Sequence, residues 1–319
     1  MLWFVIIVGI TVLCIIVAGL RESAAARSDL ERDNVPGRRV DLGGYRLHLN
    51  CSGQGQPLVV LDAGLGDAGL VWQTVQEQAA AYGRICWYDR AGYGWSDPGP
   101  KPRTYQKAAE ELHALLRNAG EQGPFVLVGH SAGANTVRLY AAAYPEEVAG
   151  LVLIEPPLLT GANPILVGGL QLMRQGLKLL AWLGIIRLLG KRSKMNLLFG
   201  GATPPPTLSE RAGFLYRPAA IQTSIAEIEA LPETIRALNQ SNVPGAWRDW
   251  PVVVIAANKG KEPSQEVCRR VEAMARLSTN GRAQWVDGSH FVHFEHPEVV
   301  VAAIRQVIDD WKSVDKHSL

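Results

Sequence analysis

The sequence predicts an α/β fold: a mostly parallel sheet of eight strands flanked by helices, with a helical insertion in its second half and a membrane helix at its start. Three observations carry this. The apolar runs at residues 58–62, 125–128, 148–154 and 251–257 are continuous rather than alternating, as strands buried on both faces are. They are interleaved with segments of helical spacing, such as residues 105–119, where Ala108, Leu112, Leu115, Leu116 and Ala119 share one face. The rhythm breaks between residues 158 and 249, where no strand pattern occurs, and resumes afterwards.

Taken in order, the first twenty residues carry no charged side chain. At about 1.5 Å per residue they match a hydrocarbon core of roughly 30 Å. No Lys or Arg precedes the run, and it exceeds the length of a signal-peptide core, so residues 1–20 read as a retained anchor; Ser23-Ala24-Ala25-Ala26 is the competing cleavage site. Residues 21–37 are polar, end in Pro36-Gly37 and read as a linker. Arg21, Arg27, Arg32, Arg38 and Arg39 all follow the anchor, which by the positive-inside rule favours a cytoplasmic domain. The cysteines pull the other way: Cys51, Cys86 and Cys268 read as buried thiols, whereas the alternative, a Cys51–Cys86 bond, implies an oxidising compartment. The side of the membrane stays open. A net charge of +2 gives no footprint for nucleic acid.

The folded core is read over residues 38–157 and 250–319. Strands at 38–42 and 45–50 flank Gly43-Gly44, and a third at 58–62 feeds the glycine-rich loop Ala63-Gly64-Leu65-Gly66-Asp67. A helix at 72–82 and a strand at 84–88 lead to a dense turn from Asp89 to Asp97. The strand ending at Val128 runs into Gly129-His130-Ser131-Ala132-Gly133 and a helix at 134–144. Strand 148–154 closes in Glu155; a helix at 264–277, a strand at 283–286 and a helix at 297–312 complete the chain.

Gly-x-Ser-x-Gly between a strand and a helix presents the serine on a sharp, strained turn, and glycines two residues either side let strand and helix approach. Four pieces occur in one order: Ala63-Gly64-Leu65-Gly66, Asp89-x-x-Gly92-x-Gly94-x-Ser96, Gly129-His130-Ser131-Ala132-Gly133, and Gly288-Ser289-His290. With them the chain resembles the α/β-hydrolase superfamily over residues 38–312. The resemblance implies Ser131 as nucleophile, His290 as base, and an oxyanion hole from the backbone N–H groups of Leu65 and Ala132. It further implies hydrolysis of an ester or related acyl bond through an acyl-enzyme, with no cofactor. Many members carry the triad acid after the seventh strand, where this chain has Gly260. Glu155, at the end of the sixth strand, takes the alternative position seen in members resembling haloalkane dehalogenases, and Glu262 is the reserve. Asp89 and Arg90 read as braces for the neighbouring loops, and His293 and His296 as solvated or lid-contacting residues. Because of the vacancy at Gly260, a catalytically silent scaffold of the same fold is the rival reading; acyl transfer and peptidase activity use the same triad.

Residues 158–249 read as a helical lid broken at Pro204-Pro205-Pro206 and Pro218. Within it, Leu166, Leu170, Met173, Leu177 and Leu180 keep helical spacing beside Arg174 and Lys178, in a basic and apolar stretch that runs on to Lys194. That stripe is expected to pack on the core and roof an apolar acyl pocket, the alternative being an interfacial helix on anionic lipid.

Overall fold

The computed structural model describes residues 1–31, 35–158, 164–192 and 212–315. Eight strands form one sheet in the order β1-β2-β4-β3-β5-β6-β7-β8. They are β1 (Arg38–Asp41), β2 (Arg46–Ser52), β3 (Leu58–Asp62), β4 (Ile85–Tyr88), β5 (Phe125–His130), β6 (Val148–Ile154), β7 (Val252–Ala257) and β8 (Gly281–Val286). β1 and β2 pair antiparallel at one edge, and from β4 onwards all neighbours are parallel.

The continuous apolar strands make two cores, because alternate side chains leave opposite faces. Val59, Leu61, Val126, Val128, Val152 and Val253 meet α2 (Gln73–Ala79) and α10 (Pro297–Asp315) through Val75, Val300, Ile304 and Val307. Val60, Leu127, Leu151, Leu153 and Val254 meet α3 (Tyr105–Ala119), α4 (Gly133–Ala143) and α9 (Gln265–Ala275) through Leu112, Leu115, Val137 and Met274. Helix α3 has its expected stripe and clear ends: the Thr104 hydroxyl accepts from the Lys107 N–H, and Gly120 turns left-handed after Ala119.

Three expectations change. Residues 21–31, within the stretch read as a linker, are helical: α1 runs unbroken over Leu2–Glu31. Glu22 and Asp29, which made that stretch look solvated, are buried against Arg187, a partner far away in sequence. Arg32 and Asp33 lie outside the described residues. Cys51 and Cys86 are not free thiols: the antiparallel register of β2 and β4 sets them directly opposite, and they form a disulfide. Cys268 remains a thiol on α9 and Cys14 one on α1.

The third change concerns the insertion between β6 and β7. Its described part holds α5 (Pro164–Trp182), α6 (Ile185–Arg192), a 3₁₀ turn (Ala212–Tyr216), α7 (Pro218–Glu229) and α8 (Leu231–Ser241). Pro218 starts α7 rather than interrupting a helix, its missing N–H costing nothing at the first position. Pro204-Pro205-Pro206 and Lys194 lie outside the described residues, as do the side chains of Leu166 and Leu170. Of the stripe's described side chains, Leu177 is half-buried, but Met173 and Leu180, expected to face the core, are 60% and 39% exposed, and Arg174 and Lys178 lie on the half-buried side. The spacing showed a stripe but not which way it faces.

Candidate active site

Ser131 stands between β5 and α4 with φ of +49°, a left-handed conformation that costs an L-residue strain and is held by its neighbours. Its N–H donates to the Ile154 carbonyl at 2.8 Å. A Cβ on Gly129 would meet the Ala134 backbone at 2.6 Å, and one on Gly133 would meet the Ala63 and Asp62 carbonyls at 2.5 and 2.6 Å. Both glycines are therefore steric requirements of the turn, as the pentapeptide predicts.

His290 follows β8, and its Nδ1 lies 3.1 Å from Glu155 Oε2. Glu155 also has φ of +49°, and its other oxygen accepts from the Ala257 N–H at 2.6 Å, so the carboxylate is fixed between β6 and β7. Glu262 is exposed on the loop after β7, among no described partner of His290. A carboxylate on Nδ1 requires the proton there, which leaves Nε2 with a free lone pair. Ser131 and His290 line one cleft of about 430 Å³, together with Gly64, Leu65, Gly66 and Asp67 from the loop after β3 and Ile186, Leu215, Tyr216, Ile221 and Ser224 from the insertion. Among the described residues, neither the Leu65 nor the Ala132 N–H pairs with a protein acceptor. Ala132 caps the N-terminus of α4, where the helix dipole adds to the attraction for negative charge.

The two other histidines of the cleft region do not titrate into use. His130 is buried, and its Nε2 meets the His290 carbonyl at 2.8 Å; a carbonyl can only accept, so Nε2 carries the proton. Burial and the nearby His290 push His130 down to about 3, so it is neutral and pins the loop that bears His290. His293 is not solvated, as expected from sequence, but packed on Trp72 and His130 at ring distances of 4.8 and 4.3 Å; burial holds its pKa well below the usual value. His296 is the half-exposed one, bonded to the Asp287 carbonyl at 2.9 Å.

Asp89 and Arg90 brace the loops as expected. The Asp89 carboxylate accepts from the Gly69 and Trp95 N–H groups at 2.6 and 2.9 Å and pairs with His48 at 3.1 Å. Arg90 is buried and donates to the Ala63 and Gly64 carbonyls at 2.5 and 2.9 Å, to Asp62 at 2.6 Å and to Glu227 of α7 at 3.1 Å. Tyr93 and Tyr105 donate to the same Glu227, at 3.0 and 3.1 Å. One guanidinium thus ties the loop carrying Leu65 to the insertion above it.

Two features escape the sequence. Glu227 sits in a segment without any motif, and only the fold brings it to Arg90. Asp67 is buried in the cleft wall; burial pushes its carboxyl up, Arg90 and His290 pull it part of the way back, and it rests at about 7. Its place two residues after Leu65 in a glycine-rich loop was the available signal.

The fold and this cleft define a class, and comparison with known proteins agrees. Residues 59–303 match the alpha/beta hydrolase family, and the chain belongs to that family. It is similar to 2-(acetamidomethylene)succinate hydrolase of Mesorhizobium japonicum, 28% identical over 88% of this chain and 98% of that protein. It spans only 20% of an uncharacterized vacuolar membrane protein of Saccharomyces cerevisiae, to which 35% of this chain is 32% identical. Among solved structures, a thermophilic esterase from Thermogutta terrifontis superposes with a TM-score of 0.66 at 21% identity, over 86% of this chain and 98% of that one. That likeness shows the fold alone.

Proposed function

We propose that this chain is a membrane-anchored serine hydrolase that cleaves an ester or related acyl bond of an apolar, lipid-like substrate. The pairing of Glu155 with His290, in the cleft that Ser131 lines, carries the reading. Ser131 Oγ attacks the acyl carbonyl while His290 Nε2 takes its proton, and Glu155 holds the tautomer and stabilises the imidazolium. The Leu65 and Ala132 N–H groups receive the developing oxyanion, and the same proton returned by His290 expels the alcohol. Water activated by His290 then releases the acid from the acyl-enzyme.

The vacancy at Gly260, which favours a silent scaffold, loses force once Glu155 supplies a carboxylate from the neighbouring strand. Ile186, Leu215, Tyr216 and Ile221 give the roof of the cleft an apolar character that suits an acyl chain and makes the insertion a lid. The length and composition of α1 support an anchor, since it is the one described helix apolar enough to cross a membrane. The Cys51–Cys86 disulfide favours an oxidising compartment for the domain. The test is labelling of the full chain by a fluorophosphonate probe, wild type against Ser131→Ala. Labelling is expected in the first only; equal labelling, or none in either, refutes the serine mechanism.

A further inference from the structure

Among the described residues that follow α1, six of the ten large apolar side chains that stand exposed belong to α5 and α6: Met173, Leu179, Leu180, Trp182, Leu188 and Leu189. Scattered exposed apolar residues need no explanation, but this clustering on two consecutive helices does. Helix α5 is apolar on both sides. Its inner side carries the half-buried Arg174, bonded to Glu229 at 3.2 Å, with Leu177, Lys178 and the buried Ala181, while Met173, Leu179 and Leu180 stand exposed on the other side.

The position of α1 says what covers this face. The Trp182 ring lies against Gly19, in the last turn of the uncharged run: a Cβ there would meet the indole at 2.1 Å. Trp182 is therefore level with the end of the apolar segment, the depth at which tryptophan collects at membrane boundaries. One turn further along α1, Glu22 accepts from Arg187 of α6 at 2.8 Å, and two turns beyond that Asp29 accepts from the same guanidinium at 2.6 Å. All three charged groups are buried. Removing either side of such a buried pair costs several kcal/mol, so α6 is held at a fixed height on the α1 post.

From this geometry we infer that the outward face of α5 and α6 is a lipid-docking surface, bedded in the boundary layer of the same bilayer that α1 crosses. It rests on the proposed anchoring by α1, not on the hydrolase chemistry. Helix α6 then has two sides: Leu188 and Leu189 meet lipid, and Ile186 lines the cleft. A membrane-resident acyl substrate reaches Ser131 past one helix width, about 10 Å, without entering bulk water.

The test uses the full chain in phosphatidylcholine vesicles, with an environment-sensitive fluorophore on one cysteine at a time. Cys14 reports on α1 itself; Leu188→Cys reports on the proposed face; Val267→Cys, exposed on α9, is the aqueous control; the remaining free cysteines are changed to serine. Lipids brominated on the acyl chains are expected to quench the labels at 14 and 188 and not at 267. Quenching at 14 without 188 overturns the docking surface and leaves the anchor standing. Quenching at neither overturns both. A label at 188 shielded from brominated lipid and aqueous iodide alike means that a second copy covers the face, which also overturns it. In parallel, Leu188→Asp with Leu189→Asp should lower hydrolysis of a long-chain ester in the vesicles by roughly tenfold and leave p-nitrophenyl acetate hydrolysis unchanged. Lipid quenching in a chain inert towards both esters would sink the hydrolase reading alone.

Discussion

Replacing Glu155 by Gln tests the proposed role of the carboxylate that pairs with His290. The glutamine oxygen can keep the bond from the Ala257 N–H, 2.6 Å away in the native chain. Its amide nitrogen then faces His290 Nδ1 across the 3.1 Å that the carboxylate spans, and a donor there forces the imidazole proton onto Nε2. The base nitrogen is thereby blocked. The imidazolium formed during attack also loses its counter-charge: opposite charges at that distance attract by about 5 kcal/mol at an effective dielectric constant of about 20. His290 is 45% exposed, and solvent screening leaves about half of that, roughly a hundredfold in rate. With the wrong tautomer added, kcat is expected to fall by about 10³-fold, with KM little changed. Ester turnover by Glu155→Gln and Glu262→Gln, each with fluorophosphonate labelling to count folded sites, is the assay. Activity within about threefold of wild type for Glu155→Gln, with a large loss for Glu262→Gln, would refute the assignment.

Four further expectations follow from the fold. Gly133→Ala places a methyl against two carbonyls of β3 and its loop, at 2.5 and 2.6 Å, and should lower stability by about 3 kcal/mol in denaturant titration. Gly176→Ala on α5 meets nothing and should raise stability by up to about 1 kcal/mol. Reducing Cys51–Cys86, a pair 35 residues apart, should remove about 4 kcal/mol and lower Tm by about 10 °C. The pH dependence tests Asp67, whose folded pKa of about 7 lies above its usual value, so between about pH 4 and 6.5 the native state holds a proton there that the unfolded chain has lost. His130 and His293 do the opposite, as their folded values are depressed. Acidification through this window thus costs two histidine protons in the unfolded state's favour, and Asp67 offsets one of them. Asp67→Asn removes the offset, and the loss of stability should steepen by about 1.4 kcal/mol per pH unit relative to wild type. Parallel curves for the two proteins would contradict a raised Asp67.

The sheet was legible because its strands are unbroken apolar runs, and a run such as 148–154 has few alternatives to a buried parallel strand. Ser131 was legible for a steric reason: only glycine at 129 and 133 lets β5, α4 and β3 come together. Glu155 could be named from its place at a strand end, although its distance to His290 depends on how far β6 and β7 are offset. What stayed hidden depends on partners distant in sequence. The burial of Glu22 and Asp29 rests on Arg187, more than 150 residues away, and the role of Glu227 on Arg90. Cysteine pairing depended on register, which residue types alone leave open. The outward face of α5 was misjudged because helical spacing defines a stripe without fixing which neighbours that stripe meets.

Glu155 reaching His290 from β6 has a consequence for the far end of β7. The Asn258 and Lys259 N–H groups still brace the His290 loop, donating to the Val286 and Gly288 carbonyls at 3.0 and 3.1 Å, but Gly260, Lys261 and Glu262 beyond them are exposed. In a relative that keeps its acid on this loop, lengthening it would displace the carboxylate. Here the Gly260 and Lys261 N–H groups only return to Asn258, at 3.3 and 2.9 Å, and a reporter domain spliced in after the exposed Glu262 is expected to leave Glu155 and His290 in place.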